Sequence, residues 1–213
     1  MSLSSPTRGP PTPFEAAGNL KPLASEAPTD AFLFEIAWEV CNQVGGIYQV
    51  VRSKVPLMVE RWHERYCLIG PYVEGKAQLE LEPAPPSGWL ASVIETVERA
   101  GLKVHHGYWL IQGKPRVLLL EHQRLSGSLD ELKAILQSEH GIFTEQNEPL
   151  VDAAITFGDA VRRVLDASSS ELARAKKRKG GNGQRLLAHF HEWQAGIALP
   201  ILQRASLEAV EGL

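Results

Sequence analysis

Two short stretches of the 213-residue chain carry side chains and backbone suited to chemistry: His189-Phe190-His191-Glu192-Trp193 and Gln43-Val44-Gly45-Gly46. In the first, strand alternation puts His189 and His191 on one side and Phe190 on the other. Two imidazoles on one side could ligate a metal. No third ligand stands at a diagnostic spacing, and the His-x-Glu lacks the Pro-Cys-x-x-Cys of a zinc deaminase, so no metal ligands are assigned. Two readings stay open. In one, His191 and Glu192 hydrogen-bond a substrate hydroxyl while Trp193 covers a sugar face. In the other, a satisfied buried histidine sits beside a packed tryptophan.

In the second stretch, Gly45 and Gly46 let the backbone approach a ligand closely. The helix start that follows offers unpaired N–H groups and the positive end of a dipole, which suits a phosphate. A tight turn needing glycine only for its geometry is the alternative. The spacing matches neither a dinucleotide fingerprint nor a Walker loop.

Both stretches need a scaffold that ends a strand and begins a helix, and the surrounding pattern supplies one. Residues 31–38, AFLFEIAW, read as a strand buried on both faces. IYQVVRSKVPLMVERW then carries apolar residues at helical spacing, with Pro56 placed to kink or divide it. Further strands are expected at Tyr66–Tyr72, Lys103–Ile111 and Arg116–Glu121, the last two as a hairpin across Gln112–Pro115. Residues 82–88, with three prolines, read as a loop, and residues 88–100, 128–139 and 149–175 as helices. AKKRKGGNGQ at 175–184 reads as a basic, glycine-rich loop, in which Lys176–Lys179 is a solvated charge run rather than a polyanion site. Arg185–His191 is a strand and Glu192–Arg204 a helix. His105 and His106 fall on opposite faces of their strand, and Trp62, Trp89 and Trp109 read as packing residues. Strands alternating with helices predict an α/β fold, Rossmann-like, with a largely parallel sheet flanked by helices. Ligands of such sheets bind at the carboxyl ends of the strands, where both stretches lie.

The bulk composition narrows the function. Net charge is −3, from 22 basic and 25 acidic residues, which excludes a dedicated nucleic-acid binder. Cys41 and Cys67 are too few for a disulfide scaffold or a four-cysteine zinc site, and read as reduced thiols. The N-terminus lacks the order of a signal peptide, and no apolar run reaches the ~18–20 residues of a membrane span. A cytoplasmic protein with no membrane partner is expected. Residues 1–30 hold six of the 14 prolines and are expected to be a disordered tail, with the folded part beginning near Ala31.

Taken together, the two stretches resemble a known family. FLFEIAWEVCNQVGGIYQVVRSK at 32–54 resembles the N-terminal signature of the animal and fungal type of glycogen synthase. LIGPYVE at 68–74 and YWLIQGKPRVLLLE at 108–121 are similar to the segments that follow it there, and AHFHEWQAGIALP at 188–200 to the family's AHFHEW-x-AG segment. The resemblance implies a retaining glycosyltransferase of the two-Rossmann-domain (GT-B) kind, a hexosyltransferase of glycogen biosynthesis. Such an enzyme moves glucose from a nucleotide sugar, usually UDP-glucose with ADP-glucose as the alternative, to the non-reducing end of an α-1,4-glucan, without cofactor or metal. It implies that Gly45 and Gly46 approach the donor diphosphate and that His191, Glu192 and Trp193 line the cleft near the glucose. Glu39, at the strand end before the glycine loop, is a candidate for an acceptor hydroxyl.

Gln43 stands where the family normally has lysine, so a hydrogen-bonding amide replaces a charge beside the phosphate. The resemblance covers residues 31–205 and lacks the family's later segments and C-terminal donor-binding domain. Residues 31–213 are therefore expected to be a truncated N-terminal domain, inactive alone, with the missing C-terminal domain as a separate chain for a partner, and the complete enzyme a homo-oligomer. The alternatives are a non-catalytic glucan- or nucleotide-binding half-domain and a decayed gene fragment.

Overall fold

A computed structural model describes residues 27–144, 148–179 and 184–202. The expectation of a disordered tail lies, up to residue 26, outside the described residues. Residues 27–30 touch the fold at two points: Ala27 is buried, and the exposed Asp30 makes a two-pronged ion pair with Arg185.

Strand β1 (Ala31–Ala37) is followed by helix α1 (Gly46–Trp62) and strand β2 (Tyr66–Pro71). A single-turn helix α2 (Ala77–Glu80) leads into strand β3 (Leu81–Pro83). Helix α3 (Gly88–Arg99) precedes the strands β4 (Val104–Trp109) and β5 (Arg116–Leu120). Helices α4 (Leu129–His140) and α5 (Pro149–Lys179), strand β6 (Arg185–His191) and helix α6 (Glu192–Gly196) complete the order. The six strands form one sheet in the order β3-β4-β5-β2-β1-β6. The run β5-β2-β1-β6 is parallel, while β4 pairs antiparallel with both β3 and β5. This is the predicted α/β sheet, hairpin included.

Alternation along β1 divides the core. Phe34 and Ile36 face α3 and α5, joining Leu90, Val93, Val97, Phe157, Val161 and Val164. Ala31, Leu33 and Ala37 face α1, joining Val51, Val55 and Trp62. Each large side chain so buried contributes about 1.5–3 kcal/mol. One residue on the α1 side breaks the apolar pattern: Glu35, fully buried.

Several local expectations change. Helix α1 runs through Pro56 without dividing. Residues 82–88 are not wholly loop, because Leu81–Pro83 pairs with β4 at the edge of the sheet, where a proline's missing N–H is tolerated. The expected loop at 175–184 begins too early: Ala175–Lys179 finish α5, and 180–183 lie outside the described residues. The expected final helix is interrupted by a turn at Ile197 and is helical again over 198–202, and residues beyond 202 lie outside the described residues. Both cysteines are free and buried, and burial raises both thiol pKa values. No helix among the described residues is long and apolar enough to cross a membrane.

Candidate functional site

Strand β1 lies between β2 and β6. The chain leaves β1 for β2 and β5 on one side, then crosses to β6 on the other. The carboxyl ends of β1 and β6 therefore flank the switch point of the sheet, where open α/β sheets place their ligand crevice. Ala37 and His191 are partners in the register, so the glycine loop after β1 and the His-Glu-Trp segment after β6 leave the sheet side by side.

The β1 exit is shaped by close packing. A side chain on Gly70 of β2 would lie 2.7 Å from Val40 Cβ and 3.0 Å from its carbonyl oxygen, so glycine there lets the turn settle on the sheet. Cys41 has φ 51, a left-handed conformation unusual for a non-glycine residue. Asn42 Nδ2 donates to Trp38 O at 3.0 Å. Lys76 Nζ reaches in from beyond β2 and donates to Asn42 Oδ1 at 2.9 Å and Gln43 O at 3.0 Å. A cation thus stands beside Gln43 that spacing along the chain could not reveal. Gln43, Gly45 and Gly46 are all exposed.

The start of α1 already holds a carboxylate. Glu39 Oε2 accepts the backbone N–H of Gly45 at 2.7 Å, of Tyr48 at 3.1 Å and of Val44 at 3.3 Å. Glu39 thereby closes the helix start with three hydrogen bonds, the arrangement a phosphate oxygen would use. The expectation of unpaired N–H groups there is corrected in part: Glu39, on the preceding turn, satisfies those of Gly45 and Tyr48.

At the β6 exit, His189 and His191 share the α1 face, as alternation predicts, and their ring centroids are 4.4 Å apart. Register sets His189 opposite Glu35. His191 Nε2 lies 2.5 Å from Glu35 Oε1, and His189 Nδ1 lies 3.9 Å from the same oxygen. Lys54 of α1 pairs with that oxygen, and Tyr66 of β2 donates its hydroxyl to Oε2. Burial pushes the Glu35 pKa up, but hydrogen bonds from His191, Lys54 and Tyr66 and the Lys54 charge outweigh it, leaving the carboxyl below its ordinary range. Burial and the charges of His191 and Lys54 lower the pKa of His189.

Glu35, His189 and His191 bring ligating atoms within 4.8 Å of one another, so the third ligand that spacing did not disclose comes from β1. Lys54 brings a cation of the chain itself to two of these groups, pairing with Glu35 and lying 3.3 Å from His191 Nε2. Glu35, Lys54 and Tyr66 were missed by sequence reasoning. The available signal was the lone acid inside an otherwise apolar strand.

Beyond His191 the chain turns sharply: Glu192 has φ 61 and is exposed, and Trp193 is 48% exposed on the first turn of α6. Left-handed conformations cost a non-glycine residue of order 1–3 kcal/mol and cluster at ligand sites. Here Cys41 and Glu192 place one at each exit. Helix α5 seats the segment that follows. A side chain on Gly158 would lie 2.9 Å from Ile197 Cγ2 and 3.2 Å from Ala198 N. Along the same strand ends, His122 after β5 is buried beside Trp38 and Phe157, with Nδ1 2.9 Å from Thr156 Oγ1. Burial lowers its pKa to about 4.

A family-wide sequence profile described as "Glycogen synthase" matches residues 35–211. Among individual proteins, the chain is 37% identical to "Glycogen [starch] synthase" of Neurospora crassa over 177 residues, 83% of this chain and 24% of that protein. It is 35% identical to the protein of the same name from Dictyostelium discoideum, over 81% of this chain and 18% of that protein. It is 35% identical to "Glycogen [starch] synthase isoform 2" of Saccharomyces cerevisiae, over 84% of this chain and 25% of that protein. The chain therefore spans about a quarter or less of the length of these relatives.

Proposed function

The chain belongs to the glycogen synthase family, and from that premise we propose that it supplies the acceptor side of a glucosyl-transfer cleft. The complete enzyme is a GT-B glycosyltransferase that takes glucose from UDP-glucose and adds it, with retention, to the 4-hydroxyl at the non-reducing end of an α-1,4-glucan. The bond between glucose C1 and the diphosphate oxygen breaks, the bond from C1 to the acceptor oxygen forms, and the acceptor proton passes to the leaving diphosphate.

The observation that carries this reading is the register pairing of Ala37 with His191, which sends both segments out of the sheet at one switch point. Trp193, half exposed there, offers an aromatic face to a sugar ring. His191 and Glu192 are assigned to the transferred or acceptor glucose. Gly45, Gly46 and Gln43 are assigned to the donor diphosphate, with Lys76 Nζ adding positive charge beside them. Fixed dipoles and cations facing charge that develops on the leaving group lower the barrier, because they need no reorganisation. No metal, nucleic acid or membrane takes part.

A chimaera tests the proposal. Residues 31–202 replace the matching segment of the Saccharomyces cerevisiae relative, in yeast lacking its own glycogen synthases. Glycogen accumulation is the expected result, lost when Trp193→Ala is added. No glycogen from a folded, stable chimaera overturns it. The 213-residue chain by itself is proposed to bind glucan without turnover; incorporation of labelled glucose into glycogen overturns that part.

A further inference from the structure

Glu35 lies beneath the β6 exit with donors from three elements: Tyr66 of β2, Lys54 of α1 and His191 of β6. A carboxylate only accepts hydrogen bonds, so the proton between it and His191 Nε2 belongs to the imidazole. Lys54 Nζ stands 3.3 Å from the same Nε2. An Nε2–H has no lone pair to receive it, so the ammonium is directed to Glu35. His191 is thereby left with Nδ1 as the nitrogen it can offer a ligand. Its side chain is only 11% exposed, so the ring is held by its surroundings.

We infer that Glu35, with Lys54, is a positioning residue of the cleft. It fixes His191 as the Nε2–H tautomer, so that Nδ1 accepts a hydrogen bond from a sugar hydroxyl. Lys54, paired with Glu35 and 3.3 Å from His191 Nε2, also stands where a divalent metal would bridge those two groups, and so keeps metal from that Nε2. The ligand half of this inference rests on the assignment of His191 to the glucan cleft. The tautomer half does not.

The test is a long-range proton–nitrogen correlation spectrum of the full chain labelled with nitrogen-15 histidine, at a pH where imidazole is neutral. The expected result is His191 protonated at Nε2 alone. In Glu35→Leu, Lys54 loses its carboxylate and donates to Nε2 instead, so the tautomer flips to Nδ1–H. Glu35→Gln, which keeps an acceptor oxygen, preserves Nε2–H. A merely structural role for Glu35 predicts no flip, and a ring that stays Nε2–H in Glu35→Leu overturns the inference.

Cobalt(II) gives a second readout should Glu35→Leu not fold. Lys54→Ala is expected to gain the visible absorption of bound cobalt, which the unaltered chain lacks. Equal binding by both overturns the metal-excluding role of Lys54. Adding a soluble malto-oligosaccharide is expected to shift the Nδ1 resonance. An unmoved Nδ1 in a ring still fixed as Nε2–H overturns the glucan assignment of His191 and its ligand half, while the tautomer result separately decides the role of Glu35.

Discussion

Glu39 Oε2 accepts the Gly45 N–H at 2.7 Å, so the helix start best placed for a phosphate is held by the chain's own carboxylate. The carboxylate caps α1 and also competes with any anion for the same donors. Capping side chains contribute typically about 1 kcal/mol. Glu39→Ala is therefore expected to lower stability by about 1 kcal/mol in urea unfolding, and at the same time to strengthen pyrophosphate binding, read from the Gly45 and Gly46 amide resonances. Weaker pyrophosphate binding in the variant would show that Glu39 does not compete for those donors.

Gln43 bears on the same loop. Its backbone oxygen already receives Lys76, while its side chain is exposed and free of charge. Gln43→Lys adds a cation at the loop, worth about 1 kcal/mol at a partly exposed site. The expected outcome is UDP-glucose binding tighter by roughly fivefold, with a steeper loss at high salt. Unchanged affinity in calorimetry would place the diphosphate elsewhere.

Trp193 and His191 divide binding from stability. Trp193 is 48% exposed, and surface substitutions usually shift stability by no more than about 0.5 kcal/mol. Trp193→Ala should leave the melting temperature nearly unchanged and remove most glucan affinity in affinity electrophoresis. His191→Ala also strips a partner from buried Glu35, and a buried carboxylate losing a hydrogen bond costs about 1–3 kcal/mol. A lowered melting temperature is expected for it, so Trp193→Ala is the cleaner probe. Retained glucan affinity in that variant would remove Trp193 from the site.

Much of this arrangement is legible in the chain because period-2 alternation and glycine turns are local signals. The parallel strands, the hairpin and the shared face of His189 and His191 all follow from them. Other features depend on contacts distant in sequence. Glu35 meets His191 across 156 positions, and Lys76 meets Gln43 across 33, neither of which spacing can announce. Strand β3 was hidden by its own proline, since Pro83 is tolerated only because the strand lies at the sheet edge. Pro56 misled in the opposite sense, because the packing of Val51 and Val55 on the sheet holds α1 through it.

Gly158 controls how closely α5 approaches the segment after Trp193. A methyl there meets Ile197 Cγ2 at 2.9 Å, which can move, but also Ala198 N at 3.2 Å, which moves only with the backbone. Overpacking of this kind costs typically about 1–3 kcal/mol. Gly158→Val is expected to lower the urea midpoint and to raise hydrogen exchange at Ala195–Ala198 more than in β1. Uniform change across the fold would mean that Gly158 does not seat this segment in particular.

His122 sets the acid limit of the fold. It is buried, and burial alone lowers its pKa from the ordinary 6.5 to about 4. Between those values the unfolded chain binds a proton at this residue that the folded chain refuses, so stability falls as pH drops from 6.5 towards 4. At 1.36 kcal/mol per pH unit the loss amounts to about 3 kcal/mol. Glu35, with its pKa held below the usual value, adds its own loss only lower, as pH falls through the carboxylate range. His189, lowered more by burial than by its charged neighbours, adds in the same direction as His122. His122→Gln keeps a hydrogen-bonding group near Thr156 Oγ1 but cannot take up the proton. Its urea midpoint should therefore vary less between pH 7 and pH 5 than that of the unaltered chain, although it is somewhat less stable at pH 7. Parallel pH profiles for the two proteins would assign the acid sensitivity to another group.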